Sequence, residues 1–140
     1  MTAVSDPLGI VELVGVCQTM RERNERLFRR LGAIVTGGTA GSDGRLLAEA
    51  CHRHAWHAEL WAARCPTIPI EESAGSARAV NAVAGDDASE VYRDELEALR
   101  AYVEGLRARV DRELDPSSAR VLDLVGADLA ALHERLVDRP

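Results

Sequence analysis

The chain has 140 residues, 46% of them hydrophobic and 29% charged, a balance that excludes intrinsic disorder and fits a single globular domain. Its formal net charge is -6 and no basic block occurs, which argues against a surface that tracks nucleic-acid phosphates. All 17 basic residues are arginine, a bias associated with GC-rich bacterial genomes. Cys17, Cys51 and Cys65 are an odd count and fit no disulfide framework. Met1 to Asp6 lacks the charged and apolar regions of a signal peptide, so free thiols in a reducing cytoplasm are expected. The longest apolar run, Leu8 to Cys17, is broken by Glu12 and is too short to span a bilayer.

A first helix is expected over about 7–31, with Ser5 or Asp6 as its cap and Pro7 in its first position, where a missing N–H costs nothing. Ile10, Leu13, Val14, Cys17, Met20, Asn24, Leu27, Phe28 and Leu31 form its stripe. In its first half, Ile10, Val11, Leu13, Val14 and Val16 wrap beyond one face, while Gly9 and Gly15 would admit a neighbouring backbone. That width suits burial by the domain or self-association through Ile10, Val11 and Val14. The loop Gly32–Gly44 contains Gly37-Gly38-Thr39-Ala40-Gly41-Ser42, but no Lys follows it and no strand precedes it. Both phosphate-cradle templates therefore fail.

The second helix is expected over about 45–64, capped by Ser42 or Asp43 and stopped by Pro66. A crossover follows over 66–87, whose middle, Ala77 to Ala84, suits a helical turn or two; it also carries the acidic pair Glu71-Glu72. The third helix, about 88–113, has the stripe Val91, Tyr92, Glu95, Leu96, Leu99, Tyr102, Val103, Leu106 and Val110. The fourth, about 117–137, starts at Asp115 or Ser117 and carries Val121, Leu122, Leu124, Val125, Asp128, Leu129, Leu132 and Leu136. No stretch alternates like a strand. Four amphipathic helices of about 20 residues predict an all-α four-helix bundle. The first and third connections are short, so each joins an antiparallel hairpin. A crossover of about 20 residues reaches along a helix of about 30 Å and allows helices 2 and 3 to run parallel.

The densest chemistry lies in the second helix, from Cys51 to Trp61, which holds three of the four histidines and both tryptophans. At helical period His54 and His57 fall on the same face as Leu47, Ala50, Cys51, Ala58 and Trp61, so two imidazoles point toward the core and need partners there. Trp61 belongs to that core face and Trp56 flanks it. Folding each hairpin about its loop brings His54 and His57 level with Asn24 and brings Asp128 level with Tyr102. These five are the candidate binding residues; Glu95, His133 and Cys51 are secondary candidates. A structural hydrogen-bond network, a small-ligand pocket and a metal site all stay open, the network being the default. No metal is expected; the alternative is one Zn, Fe or Mn ion held by His54, His57 and Asp128. At the C-terminus of the second helix, the dipole disfavours a Cys65 thiolate.

The layout of two hairpins and a crossover, together with the phrase His54-Ala55-Trp56-His57-Ala58-Glu59-Leu60-Trp61, resembles the ferritin-like superfamily, in a form found in actinobacteria. The resemblance implies a ferritin-like bundle and, for the metal-binding members, a Glu on each of two helices with Glu-x-x-His on the other two. Here His57 and His133 match the histidines and Glu95 matches one carboxylate. His54 and Ala130 stand in Glu positions, and Asn24 is the inward polar residue of the first helix. With those carboxylates missing, a di-iron oxidase or oxygenase is not expected. The expected role is a non-catalytic binding or assembly module, acting as a homodimer. The alternative is a mononuclear metal-dependent or small-molecule-transforming enzyme that uses His54, His57 and Asp128.

Overall fold

A computed structural model describes residues 6–38, 40–66 and 87–138. It contains α1 (Ile10–Thr36), a short 3-10 turn (Gly41–Asp43), α2 (Gly44–Arg64), α3 (Asp87–Arg109) and α4 (Pro116–Val137), and no strand among the described residues. The architecture is an all-α four-helix bundle. No helix of the described residues is long and apolar enough to cross a membrane. Ser5, Glu71-Glu72 and the segment Ala77–Ala84 lie outside the described residues.

The largest departure from the sequence expectation is α1. It begins after Gly9, whose backbone is extended, without a side-chain cap, so Pro7 precedes the helix instead of opening it. Leu8 N–H donates to Arg109 O at 3.1 Å, and the Arg109 guanidinium grips Asp6 O and both Glu12 carboxylate oxygens. These bonds hold the segment before the helix against the end of α3. At its other end α1 runs through Gly32 to Thr36, because Ile34 is buried in the core and its burial outweighs the cost of one helical glycine. The helix then stops at Gly37, whose N–H donates to Ala33 O, and Gly38 turns the chain away at φ 71°.

Helix α3 ends earlier than expected, at Arg109. Asp111 Oδ1 accepts from the N–H groups of Glu113 and Leu114, a local turn that competes with continued helix. Asp115 then caps α4 by accepting from Ser118 N–H at 3.0 Å, with Pro116 in the first turn. Asp43 stands at the cap position of α2 but makes no side-chain cap bond; it accepts from Ser89 Oγ at 2.6 Å instead.

Side-chain pairs give the helix directions. Helices α1 and α2 form one antiparallel hairpin, with Phe28 beside Cys51 and Asn24 beside His54. Helices α3 and α4 form the other, through Arg107–Asp123 near their loop and Arg93–Leu136 O at the far end. Arg64–Asp115, Arg53–Asp128 and Arg135–Glu49 make α2 antiparallel to α4. Glu12–Arg109 and Arg30–Glu95 do the same for α1 and α3. Every adjacent pair is thus antiparallel, and the diagonal partners α2 and α3 run in the same direction. The core is filled by Met20, Leu31, Leu47, Trp61, Leu96, Leu99, Leu122 and Leu129, all essentially without exposed surface.

Candidate functional site

Among the described residues, four polar residues are buried in this core: Asn24, His54, His57 and Ser118. Three of them lie where α1 and α2 face each other. Asn24, on α1, donates from Nδ2 to Met20 O at 2.8 Å, one turn back along its own helix. That bond fixes the amide orientation, so Asn24 Oδ1 is the acceptor facing His54 Nδ1, again at 2.8 Å. His54 Nδ1 therefore carries the proton and its Nε2 is an acceptor. Tyr92 of α3 lies 2.8 Å from that Nε2 and donates its hydroxyl hydrogen to it. The result is an unbranched chain, Tyr92 to His54 to Asn24 to Met20 O, in which each donor has one acceptor.

The same geometry sets the charge state. Burial pulls the His54 pKa down to about 3, helped by the neighbouring His57, so the ring is neutral at any physiological pH. Burial raises the Tyr92 pKa, with a smaller contribution from Glu95, and keeps the phenol protonated as a donor. The rings of His54 and Tyr92 meet edge to face with centroids 5.7 Å apart, and those of His54 and His57 do so at 5.9 Å.

His57 has a different environment. Its Nε2 donates to Asp128 Oδ2 at 2.9 Å, and Asp128 Oδ1 accepts from Arg53 at 3.2 Å at the partly exposed rim. Burial lowers the His57 pKa, while the Asp128 hydrogen bond and charge oppose that shift; burial prevails. With the proton on Nε2, the Nδ1 lone pair is left buried without a protein partner among the described residues.

The expected layer is therefore assembled in part and with one change of member. His54, His57, Asn24 and Asp128 take part in two adjacent hydrogen-bonded sets, but Tyr92, not Tyr102, reaches His54. Tyr102 does stand at the level of Asp128 within the α3–α4 hairpin. Its ring, however, faces α1, with the Arg23 guanidinium 5.5 Å above it. Folding hairpins about their loops fixes neighbours within each hairpin but leaves free the stagger between diagonal helices. Here α2 and α3 cross so that Asp43 meets Ser89 and His54 meets Tyr92.

The secondary candidates lie outside the layer. Glu95 pairs with Arg30, His133 is half-buried and bonds to none of these residues, and the Cys51 thiol donates to Phe28 O at 3.3 Å. Among the described residues no group of three or more His, Cys, Asp or Glu side chains is gathered to hold a metal ion. Both His54 nitrogens are already committed to Asn24 and Tyr92, which removes it from a three-ligand set with His57 and Asp128. The sequence reading missed Tyr92 and Arg53. Tyr92 stood on the α3 stripe all along, and a search of that stripe for any hydroxyl would have included it.

No protein-family profile, curated protein or solved structure significantly matches the chain.

Proposed function

We propose that the chain is a ferritin-like bundle that serves as a non-catalytic binding or assembly module in the cytoplasm, acting as a homodimer through the first half of α1. The observation that carries this reading is the exposure of Ile10 and Val11, 80% and 84% respectively, at the start of a helix whose later stripe residues Cys17, Met20, Leu27 and Leu31 are buried. Val14, one turn on, is half-buried. Leu114, 85% exposed, stands across a groove of about 500 Å³ whose walls include Leu8, Ile10, Leu13 and Val110. Contiguous apolar surface of this kind is characteristic of an association site. A side chain added at Gly9 or Gly15 would meet nothing within 4 Å, so that face is open to an approaching helix.

The interior supports the non-catalytic half of the reading. His54, the most inward titratable group, has no lone pair or proton left for a substrate. The ferritin-like assignment rests on the arrangement of the helices, with antiparallel neighbours and a parallel diagonal. Size-exclusion chromatography with light scattering tests the dimer. The wild-type chain of 15.2 kDa is expected at twice that mass, and Val11→Glu is expected to give a folded monomer. A wild-type monomer at tens of micromolar ends the proposal.

One observation favours a second reading. The unshared Nδ1 lone pair of His57 is a ligand-binding atom, as a mononuclear metal or small-molecule site would require. Elemental analysis of protein purified without a histidine tag decides this. One stoichiometric transition metal, lost in His57→Ala, supports the enzyme; its absence, with stability unchanged by chelation, supports the module.

A further inference from the structure

On α1, Arg23, Arg26 and Arg30 follow one another at i, i+3 and i+7 and so share one face, with Leu27 buried between them. Across from this face runs α3. The two helices approach less closely than the helices of either hairpin, and they meet through long side chains. Arg30 pairs with Glu95, and the Arg23 guanidinium lies 5.5 Å from the centre of the Tyr102 ring. These two contacts are seven residues apart on each helix, which is about 10 Å along the axis. Beside them is a hollow of about 120 Å³, partly open to solvent and lined by Arg23, Arg26, Leu27 and Glu95.

The positive charge in this hollow is not balanced by the protein. The carboxylate in its wall, Glu95, is engaged by Arg30, whose side chain is only 16% exposed. Among the described residues Arg23 has the Tyr102 ring but no acidic partner, and Arg26 has neither. Glu22, one turn before Arg26, makes no ion pair with it. Like charges one turn apart on a helix repel each other, and here they stand together in a chain of formal net charge -6, where carboxylates are plentiful. The ring holds the Arg23 guanidinium in place without supplying an acceptor oxygen. Two arginine forks therefore present N–H donors around one small space.

We propose that this hollow binds a phosphate group, seated between the guanidiniums of Arg23 and Arg26. A phosphate dianion brings several acceptor oxygens and matches the planar fork of arginine, with which it forms charge-assisted hydrogen bonds. It also supplies the negative charge that the neighbouring arginines lack. The size of the hollow excludes a nucleotide or another drug-sized ligand, whose sites run to about 300 Å³ or more. A free phosphate ion and the terminal phosphate of a small monoester share this chemistry, and the open side leaves room in solvent for the rest of an ester. Glu95 opposes the anion, but its pairing with Arg30 draws its charge away from the other two arginines. The site lies on the second half of α1, apart from Ile10 and Val11, so it does not depend on self-association.

Titration calorimetry of the full chain with inorganic phosphate tests this, at about pH 8, where phosphate is a dianion, and at an ionic strength held constant with sodium chloride. One site per chain is expected, half-saturated below about 1 mM, with a thermal midpoint that rises with phosphate and not with chloride. Arg23→Gln and Arg26→Gln should each weaken binding by about tenfold or more. Arg26 is exposed, so its variant keeps the test valid should the Arg23 variant fail to fold. Arg120→Gln, at an exposed arginine of α4, should leave binding unchanged. Glu95→Gln removes the opposing charge, releases Arg30 and should tighten binding severalfold. A parallel titration with glycerol phosphate separates the sources: binding as tight as that of phosphate assigns the site to a monoester, and no binding assigns it to the free ion. Half-saturation above about 1 mM with no rise in midpoint, full binding in Arg26→Gln, or an equal loss in Arg120→Gln would each overturn the proposal.

Discussion

Tyr92 donates its hydroxyl hydrogen to Nε2 of His54 across the diagonal of the bundle, at 2.8 Å, and so joins the second hairpin to the first through a buried polar contact. The direction of that bond follows from Asn24, whose amide is fixed by Met20 O and leaves only an oxygen for Nδ1. Such a contact costs more to break than it contributes when made, because removing one partner leaves the other buried and unsatisfied. It also specifies how the hairpins sit, since apolar side chains alone tolerate sliding.

Tyr92→Phe keeps the ring but leaves Nε2 of His54 without a donor, and it is expected to lower the unfolding free energy by about 1–3 kcal/mol. Tyr102→Phe keeps the ring beneath Arg23 and is expected to change stability by less than about 0.5 kcal/mol. Urea denaturation of the two variants compares them directly. Equal losses would mean that Tyr92 holds no special place in the core.

That pair also shows how far the sequence could be read. The inward direction of His54 and His57 was legible because helical period alone places them with Leu47, Ala50 and Trp61, and all five are buried. The level of Asn24 and Asp128 was legible because each lies within a hairpin whose loop counts residues. The choice between Tyr92 and Tyr102 was not, since both lie on the same stripe of α3 and only the crossing of diagonal helices separates them. The end of α1 was missed for a similar reason. Gly32 reads locally as a stop, and only the tertiary burial of Ile34 carries the helix past it.

The histidines make stability depend on pH in a definite direction. Burial lowers the pKa of both rings in the fold, His54 to about 3, against an ordinary value near 6.5. Below pH 6.5 the unfolded chain takes up protons that the folded chain refuses, so acid favours unfolding. The stability from these neutral rings is complete above about pH 7. It is lost as pH falls from 6.5 toward the folded pKa values, with a slope approaching about 1.4 kcal/mol per pH unit for each ring. For His57 the slope is smaller, because Asp128 favours the charged ring while Arg53 opposes it. Denaturation midpoints between pH 7.5 and 5, above the range of the ordinary carboxylates, should fall steadily, while the His54 ring resonances in the folded protein stay put. Constant midpoints across that window would contradict the neutral buried rings.

Asp115 holds two elements together from one carboxylate oxygen, which accepts from Ser118 N–H at 3.0 Å and from Arg64 Nη2 at 3.1 Å. Asp115→Ala removes the cap of α4 and is expected to cost about 0.5–2 kcal/mol. Asp115→Asn keeps a capping oxygen and loses only the charge toward a partly exposed Arg64, a contact worth at most about 1 kcal/mol. The expected order of thermal midpoints is therefore wild type, then Asp115→Asn, then Asp115→Ala. An alanine variant as stable as the asparagine one would show that the cap contributes nothing.

Two glycines, one within α3 and one closing α1, should respond to alanine with opposite signs, for reasons that the surrounding atoms fix. Gly105 lies within α3 on its exposed side, and a Cβ there would meet nothing within 4 Å. Gly105→Ala narrows the unfolded ensemble without any clash and should stabilise the bundle by about 0.5–1 kcal/mol. Gly37 closes α1, and a Cβ there would lie 2.9 Å from Ala33 O, a backbone atom that is part of the helix and cannot swing aside. Gly37→Ala must therefore distort the last turn of α1, whose N–H bond to Ala33 O is made by that same residue. The expected result is a loss of about 1 kcal/mol or more, together with faster amide exchange confined to the end of α1. Hydrogen exchange separates this from a general loss of stability, because the core amides around Leu96 and Leu122 should keep their protection order. A stabilising Gly37→Ala would mean that α1 ends elsewhere, and with it the register that places Asn24 against His54.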